Sequence, residues 1–327
     1  MRRPASLTLS LLLMAGCSSA IPASTPHGGH ASSTSPGQAS QPGQPGPVKV
    51  TATSMTWSLP RPISREVVLG QGNQLVIAGG LAADQTTTSG VFLLDPVSGQ
   101  LSPAGQLATP VHDAAGAALP SGDFVFGGGA ASTISAVQGF SPGGGSHVSG
   151  HLPQPRSDLV CAVVDGRAFL LGGYDGSVMA AAVLATSDGR TFTTVANLPV
   201  PVRYPAVATV GSDIYLFGGE HSGVDTTAIQ RIDPASGQAT VVGHLPAPLA
   251  HASAATLGGT VVIAGGRLDT VVTDQILVFD PTTGRTRLAG HLPRPEADAG
   301  SAVLGGVLWL VGGEDGTTLK TVITVTA

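Results

Sequence analysis

The chain has 327 residues, 46 of them glycine and 25 proline, with 11% charged and 4% aromatic residues. So much glycine and proline with so little charge excludes a helix-rich domain and suits many short strands joined by turns. The net charge is −5, the only lysines are Lys49 and Lys320, and no basic run occurs, which argues against nucleic acid as a partner.

In chain order, Arg2 and Arg3 open a positive segment, and Leu7 to Ala15 form an apolar run too short to span a bilayer as a helix. "LMAGC" follows, ending in Cys17 after Ala15 and Gly16. It resembles a bacterial lipoprotein signal, with Met14 where leucine is more usual. The resemblance implies a signal peptide over residues 1–16, the general secretory route, a lipidated Cys17, and a lipid anchor at the extracytoplasmic face of the cell membrane. Cys161 is then left without a disulfide partner, and its apolar surroundings "LVCAVV" read it as a buried small hydrophobe. Residues 17–47 form a Pro/Gly/Ser-rich tether with almost no large apolar side chain, which cannot bury enough surface to fold. A flexible chain of that length spans roughly 30 Å. Its "HGGH" at His27 to His30 makes no closed metal site and reads as linker.

From residue 48 onward the chain repeats. A Gly-Gly doublet closes an apolar run six times, beginning at Gly79, Gly127, Gly172, Gly218, Gly265 and Gly312. Leu-Pro marks keep the same beat at Leu59, Leu152, Leu198, Leu245 and Leu292, with "QLATP" at Gln106 as a degenerate copy. "DPxxG" recurs at Asp95, Asp233 and Asp280 and weakens to "SPGGG" and "TSDG". The runs before the doublets are apolar on both faces, as in a strand covered on both sides. "DPxxG" predicts a type I turn between antiparallel strands, with Gly at its fourth position. The Leu-Pro prolines end a strand and stiffen the crossing to the next copy. One copy is therefore four strands, for example "AVATV", "DIYLFGG", "TAIQRID" and "ATVVGHLP". A sheet with two apolar faces must stack on neighbours, and radial closure yields a β-propeller.

These three marks, recurring in phase, resemble the Kelch repeat, within the galactose oxidase central-domain-like superfamily. Leu94, Ile232 and Phe279 replace the usual Tyr before the Asp-Pro turn, and only Trp57 keeps the usual Trp of the last strand. The expected fold is all-β: a six-bladed β-propeller of four-stranded Kelch-type blades over residues 48–327. The last copy lacks its Leu-Pro strand, and "VKVTATSMTWSLP" supplies one, so the N-terminal strand should complete the last blade and remove a free edge.

Strands in a blade alternate in direction, so the segment leading into the first strand and the loop leaving the second open on one face. Fourteen residues before each doublet stand Arg65, Asp113, Asp158, Tyr204, His251 and Asp298. Directly after the doublets stand Leu81, Gly129, Tyr174, Glu220, Arg267 and Glu314. The two sets predict facing rings around one mouth. In ligand-binding Kelch members these loops are the usual contact surface, which implies a mouth formed by Arg65, Asp113, Asp158, Tyr204, His251, Asp298, Tyr174, Glu220, Arg267 and Glu314. A solvated polar rim would look the same in sequence.

Carboxylates, guanidiniums and tyrosine faces in one mouth suit a glycan, a peptide or a protein ligand. Oxygen ligands there would suit Ca or Mg, but no metal and no cofactor is assigned. No HExxH, Walker loop, GxSxG or helix-opening GxGxxG occurs. A copper radical oxidase resembling galactose oxidase needs a Cys-Tyr crosslink and further Tyr ligands, and the propeller segment holds one Cys and three Tyr. A sialic acid mutarotase type of enzyme needs only polar acid–base groups, for which Arg65, Glu220, His251 and Arg267 would serve. The recurrent His151, His244 and His291 of "GHLP" lie on outer strands of three different copies and cannot meet at one ion; they predict a repeated hydrogen bond between blades. The chain is thus read as an anchored, monomeric binding module, with a sugar-active enzyme or a scaffold that binds by its sides as alternatives.

Overall fold

The computed structural model describes residues 48–327; the signal, Cys17 and the tether lie outside them. The described residues hold six four-stranded antiparallel sheets and no helix. Together they form a six-bladed β-propeller, with inner strands Val67–Gln71, Ala115–Leu119, Ser157–Val164, Ala206–Val210, Ser253–Leu257 and Gly300–Leu304. The sixth blade is completed by Thr51–Ser54, which pairs with Val322–Thr326 from Thr51↔Thr326 to Ser54↔Ile323. The ring is therefore closed by hydrogen bonds between its two ends.

Packing follows the doubly apolar second strands. Leu75 to Ala78, Phe124 to Phe126, Ile214 to Phe217 and Leu308 to Val311 are all buried. Six apolar clusters result, one at each junction between neighbouring blades; that between blades 6 and 1 holds Leu59, Val68, Ile77, Trp309 and Val322. The leucines of the Leu-Pro marks are buried in them, and Leu107 of the degenerate copy is buried as well.

The Gly-Gly doublets have a specific task. Both glycines are left-handed, the first at φ 62–68° and the second at φ 82–103°. The second N–H donates to a carbonyl of the next blade, as in Gly80→Val111 at 2.8 Å, Gly173→Val202 at 2.8 Å and Gly313→Ile63 at 2.9 Å. A Cβ on the first glycine would collide with that same carbonyl. Only glycine meets both demands, so the doublet is the bond between blades.

Two expectations are corrected. The Asp-Pro turns close one residue later than a type I turn with glycine in fourth place. The fifth residues, Gly99, Gly237 and Gly284, donate to the carbonyls of Asp95, Asp233 and Asp280 at 2.9 Å, with φ 73°, 72° and 68°. Three residues between the Asp and a left-handed glycine allow the chain to reverse while the Asp side chain accepts the next free N–H groups. The "GHLP" histidines bond within their own blades: His151 Nδ1 with Ser135 at 3.3 Å, His244 with Thr227 at 3.0 Å and His291 with Asp274 at 2.9 Å. Each histidine ends an outer strand opposite the start of the third strand of the same sheet, which is why its reach is local.

Candidate functional site

Arg65, Asp113, Asp158, Tyr204, His251 and Asp298 all lie in the left-handed region, with φ between 53° and 59°. Their backbones form one closed cycle. Asp113 N–H donates to Arg65 C=O at 3.1 Å, Asp158 to Asp113 at 2.8 Å, and Tyr204 to Asp158 at 2.9 Å. His251 donates to Tyr204 at 3.0 Å, Asp298 to His251 at 3.1 Å, and Arg65 closes the cycle on Asp298 at 2.9 Å. Each blade thus donates one amide to its neighbour.

The second set is held against this ring by pairing. The residues immediately before the six ring positions pair across to those after the doublets: Ser64↔Leu81, His112↔Gly129, Ser157↔Tyr174, Arg203↔Glu220, Ala250↔Arg267 and Ala297↔Glu314. The two rings therefore meet at one mouth. Its cavity of about 130 Å³ is lined by all six ring residues. On its far side a channel of about 660 Å³ runs between inner strands, lined largely by Ala, Gly, Ser and Val. Cys161 borders that channel half-buried, and burial pushes its thiol up to about 12.

The ring is not a solvated rim. The side chains of Asp298, Asp158 and Asp113 are 4%, 6% and 10% exposed. They belong to a bonded network. Arg65 donates from Nε to Glu314 at 3.0 Å and from Nη1 to Asp113 at 3.2 Å. Arg267 Nη2 bridges Asp298 at 2.7 Å and Glu314 at 2.8 Å. His251 Nδ1 donates to Asp298 Oδ1 at 2.6 Å, and its ring stacks on Tyr204 at 4.0 Å. Arg203 grips Glu220 with two bonds of 2.9 Å and lies over the rings of Tyr174 and Tyr204.

Charge is unevenly held. Burial opposes the Asp298 carboxylate, but the His251 hydrogen bond and the charges of His251, Arg65 and Arg267 outweigh it and hold its pKa below the usual range. Burial also opposes the charge on Arg65, yet Asp113, Asp298 and Glu314 prevail and raise its pKa. On the other side burial lifts Asp113 to about 7 against the pull of Arg65, with Asp158 and Asp298 adding to the rise. Burial raises Asp158 too, against its contacts with Ser157, Arg203 and Tyr204. Beneath the ring, Glu66 and Glu296 are 5% and 2% exposed, and their side chains pack against Gly312 and Gly313 of blade 6. Neither oxygen of Glu66 has a partner, and Glu296 accepts only from Thr321 at 3.1 Å. Burial pushes both to about 8.

Of the ten expected residues, the six of the ring line the mouth cavity, Arg267 and Glu314 bond to ring side chains, and Tyr174 and Glu220 line a neighbouring cleft. Leu81 and Gly129 bring no polar side chain. Sequence reasoning missed Ser64, His112 and Arg203, which stand one place before the ring positions, and the isolated carboxyls Glu66 and Glu296. Ser64 donates to Glu314 at 2.9 Å, and His112 lies 3.6 Å from Asp113. Extending the count from the doublets by one residue would have found the first three. Among the described residues no group of three or more His, Cys, Asp or Glu side chains is placed to hold a metal ion.

No protein-family model matches the chain, and no curated protein matches it. A solved structure described as "Structure of YjhT" is similar, with a TM-score of 0.70 and 16% identity over 83% of this chain and 99% of that one. At that identity the likeness bears on the fold, and the described residues are a closed six-bladed β-propeller with a charged mouth.

Proposed function

We propose that the protein is a saccharide-binding module of the Kelch-repeat type, held at the extracytoplasmic face of a membrane through a lipidated Cys17. One observation carries the reading of the mouth. A chain with 46 glycines places none at six left-handed positions, where glycine costs least, and sets Arg65, Asp113, Asp158, Tyr204, His251 and Asp298 there instead. Asp and His tolerate this conformation better than most residues, whereas Arg and Tyr bear its steric cost. Side chains kept against a backbone cost are side chains in use. Their chemistry is alternating carboxylate and guanidinium with a tyrosine face, which offers paired acceptors and donors to ring hydroxyls.

The test is binding of the purified protein to a glycan array, followed by thermal shift with the retained sugar. Saturation at a hundred times Kd should add about 2.7 kcal/mol of stability. Replacing Asp158, Tyr204, His251 and Asp298 together should abolish capture; capture that survives the change sinks the assignment. Labelling with a radioactive fatty acid checks the anchor, and incorporation should vanish in Cys17→Ser.

A second reading is a sugar-active enzyme of the mutarotase type in the same mouth. It is favoured by the 2.6 Å bond from His251 Nδ1 to Asp298, which orients the ring and leaves Nε2 as an acid–base group. Asp113, lifted to about 7, can hold a proton near neutrality. NMR of sugar anomers decides between the readings: accelerated exchange lost in His251→Gln indicates catalysis, and an unchanged rate indicates binding alone.

A further inference from the structure

The mouth cavity is small for a ligand site. Its volume of about 130 Å³ falls below the roughly 300–1,000 Å³ ordinary for such sites. A larger cleft of about 600 Å³ opens beside it, between the loops that follow the doublets of blades 3 and 4. The two spaces share a wall. Arg203 lines the cleft, yet its Nη1 stands 3.7 Å from Asp158 of the ring and its guanidinium covers Tyr204. Tyr174 and Glu220, both bound to Arg203, lie on the same wall.

The cleft joins apolar and polar faces. Val178, 60% exposed, and Met179 form one flank. His221 stands on the blade 4 side; its Nδ1 donates to the Pro201 carbonyl at 2.6 Å, so Nε2 is left for another partner. A pyranose has this same duality, with an apolar face of C–H groups and an equatorial belt of hydroxyls.

We infer that this cleft is a second sugar subsite beside the mouth, across Arg203, so that the protein binds an oligosaccharide, with one unit at the ring and the next between blades 3 and 4. The inference rests on the saccharide reading of the mouth. It explains why Arg203 is fixed by Glu220 at the boundary: a cation shared by two subsites must not move when either fills.

The test is an array printed with mono- through hexasaccharides, probed with full-length wild type, the cleft variant Val178→Asp/His221→Ala and the mouth variant His251→Ala/Asp298→Asn. Val178 and His221 are exposed, so the cleft variant should keep the wild-type melting curve. Wild type should bind an oligosaccharide at least tenfold more tightly than its terminal monosaccharide. The cleft variant should lose that gain and keep the monosaccharide affinity, while the mouth variant should lose both. Equal affinity for short and long sugars, or a cleft variant indistinguishable from wild type, overturns the subsite and leaves the mouth reading standing. Loss in the cleft variant with none in the mouth variant overturns the mouth instead. An array on which no sugar is retained overturns both.

Discussion

The side of the mouth built by blades 5, 6 and 1 and the side built by blades 2 and 3 use the same backbone and hold charge differently. On the first, Asp298 is gripped by His251 and Arg267, and Glu314 by Arg65 and Arg267. On the second, burial raises both Asp113 and Asp158, with Asp158 adding to the rise at Asp113, and the place that carries Glu220, Arg267 or Glu314 in later blades is held in blade 2 by Gly129 and in blade 3 by Tyr174. Burial outweighs the pull of Arg65 on Asp113 and of Arg203 on Asp158, so both carboxyls are raised. The comparison teaches that a repeat can fix where a residue stands without fixing its protonation, which depends on what the neighbouring copies supply.

The largest test of this contrast is deletion of each carboxyl. Asp298→Ala leaves His251, Arg65 and Arg267 without their shared acceptor, at a cost of about 3 kcal/mol, the low end for a broken buried pair because both arginines keep some water access. Asp158→Ala should cost about 1 kcal/mol or less, since Arg203 stays bound to Glu220. Urea denaturation measures both, and equal costs would erase the contrast.

A second test is pH. Asp113, Glu66 and Glu296 have folded pKa values above their unfolded ones, so the folded state binds more protons between about pH 4 and pH 8. Their contribution is full at the acid end, falls through that window and levels above it. The melting temperature should fall from pH 5 to pH 8. Glu66→Gln/Glu296→Gln should flatten most of that slope, and Asp113→Asn a smaller part. Asp298, with its pKa lowered, acts oppositely: its contribution is present above its unfolded pKa and is lost as pH falls through the folded value. A double variant with the wild-type slope would show that the carboxyls beneath the ring are compensated after all.

The smallest effect concerns the backbone that both sides share. At Tyr204 and Asp158, Gly variants should be more stable than Ala variants by about 1 kcal/mol, because alanine keeps the left-handed strain and glycine does not. At an ordinary strand position the order reverses. Both kinds of variant should lose ligand. Ala variants as stable as Gly ones would mean that the ring backbone is not strained.

Much of the fold was readable. The doublets gave six blades, and the unmatched Leu-Pro segment at the start of the propeller foretold pairing between Thr51–Ser54 and Val322–Thr326. Counting back from the doublets located all six ring residues. Arg203 escaped because it follows "PV" in a crossing that reads as linker, and its value comes from Glu220 across the pairing of the two loops. Glu66 and Glu296 escaped because a charged residue beside a rim reads as solvated, and only the packing of neighbouring blades buries them. The "GHLP" histidines were expected to bond between blades, but their bonding direction depends on the register of two strands within one blade.

By itself the sequence determined the repeat, the number of blades, the mode of closure and the ring positions, because strand length, turn chemistry and glycine tolerance are local properties carried by each copy. The tertiary structure alone decided which carboxylates stay ionised, which arginines they hold, and that a cleft opens between blades 3 and 4. Those outcomes come from side chains of different copies brought within about 3 Å by radial closure, where burial and neighbouring charge, both non-local, set the energies.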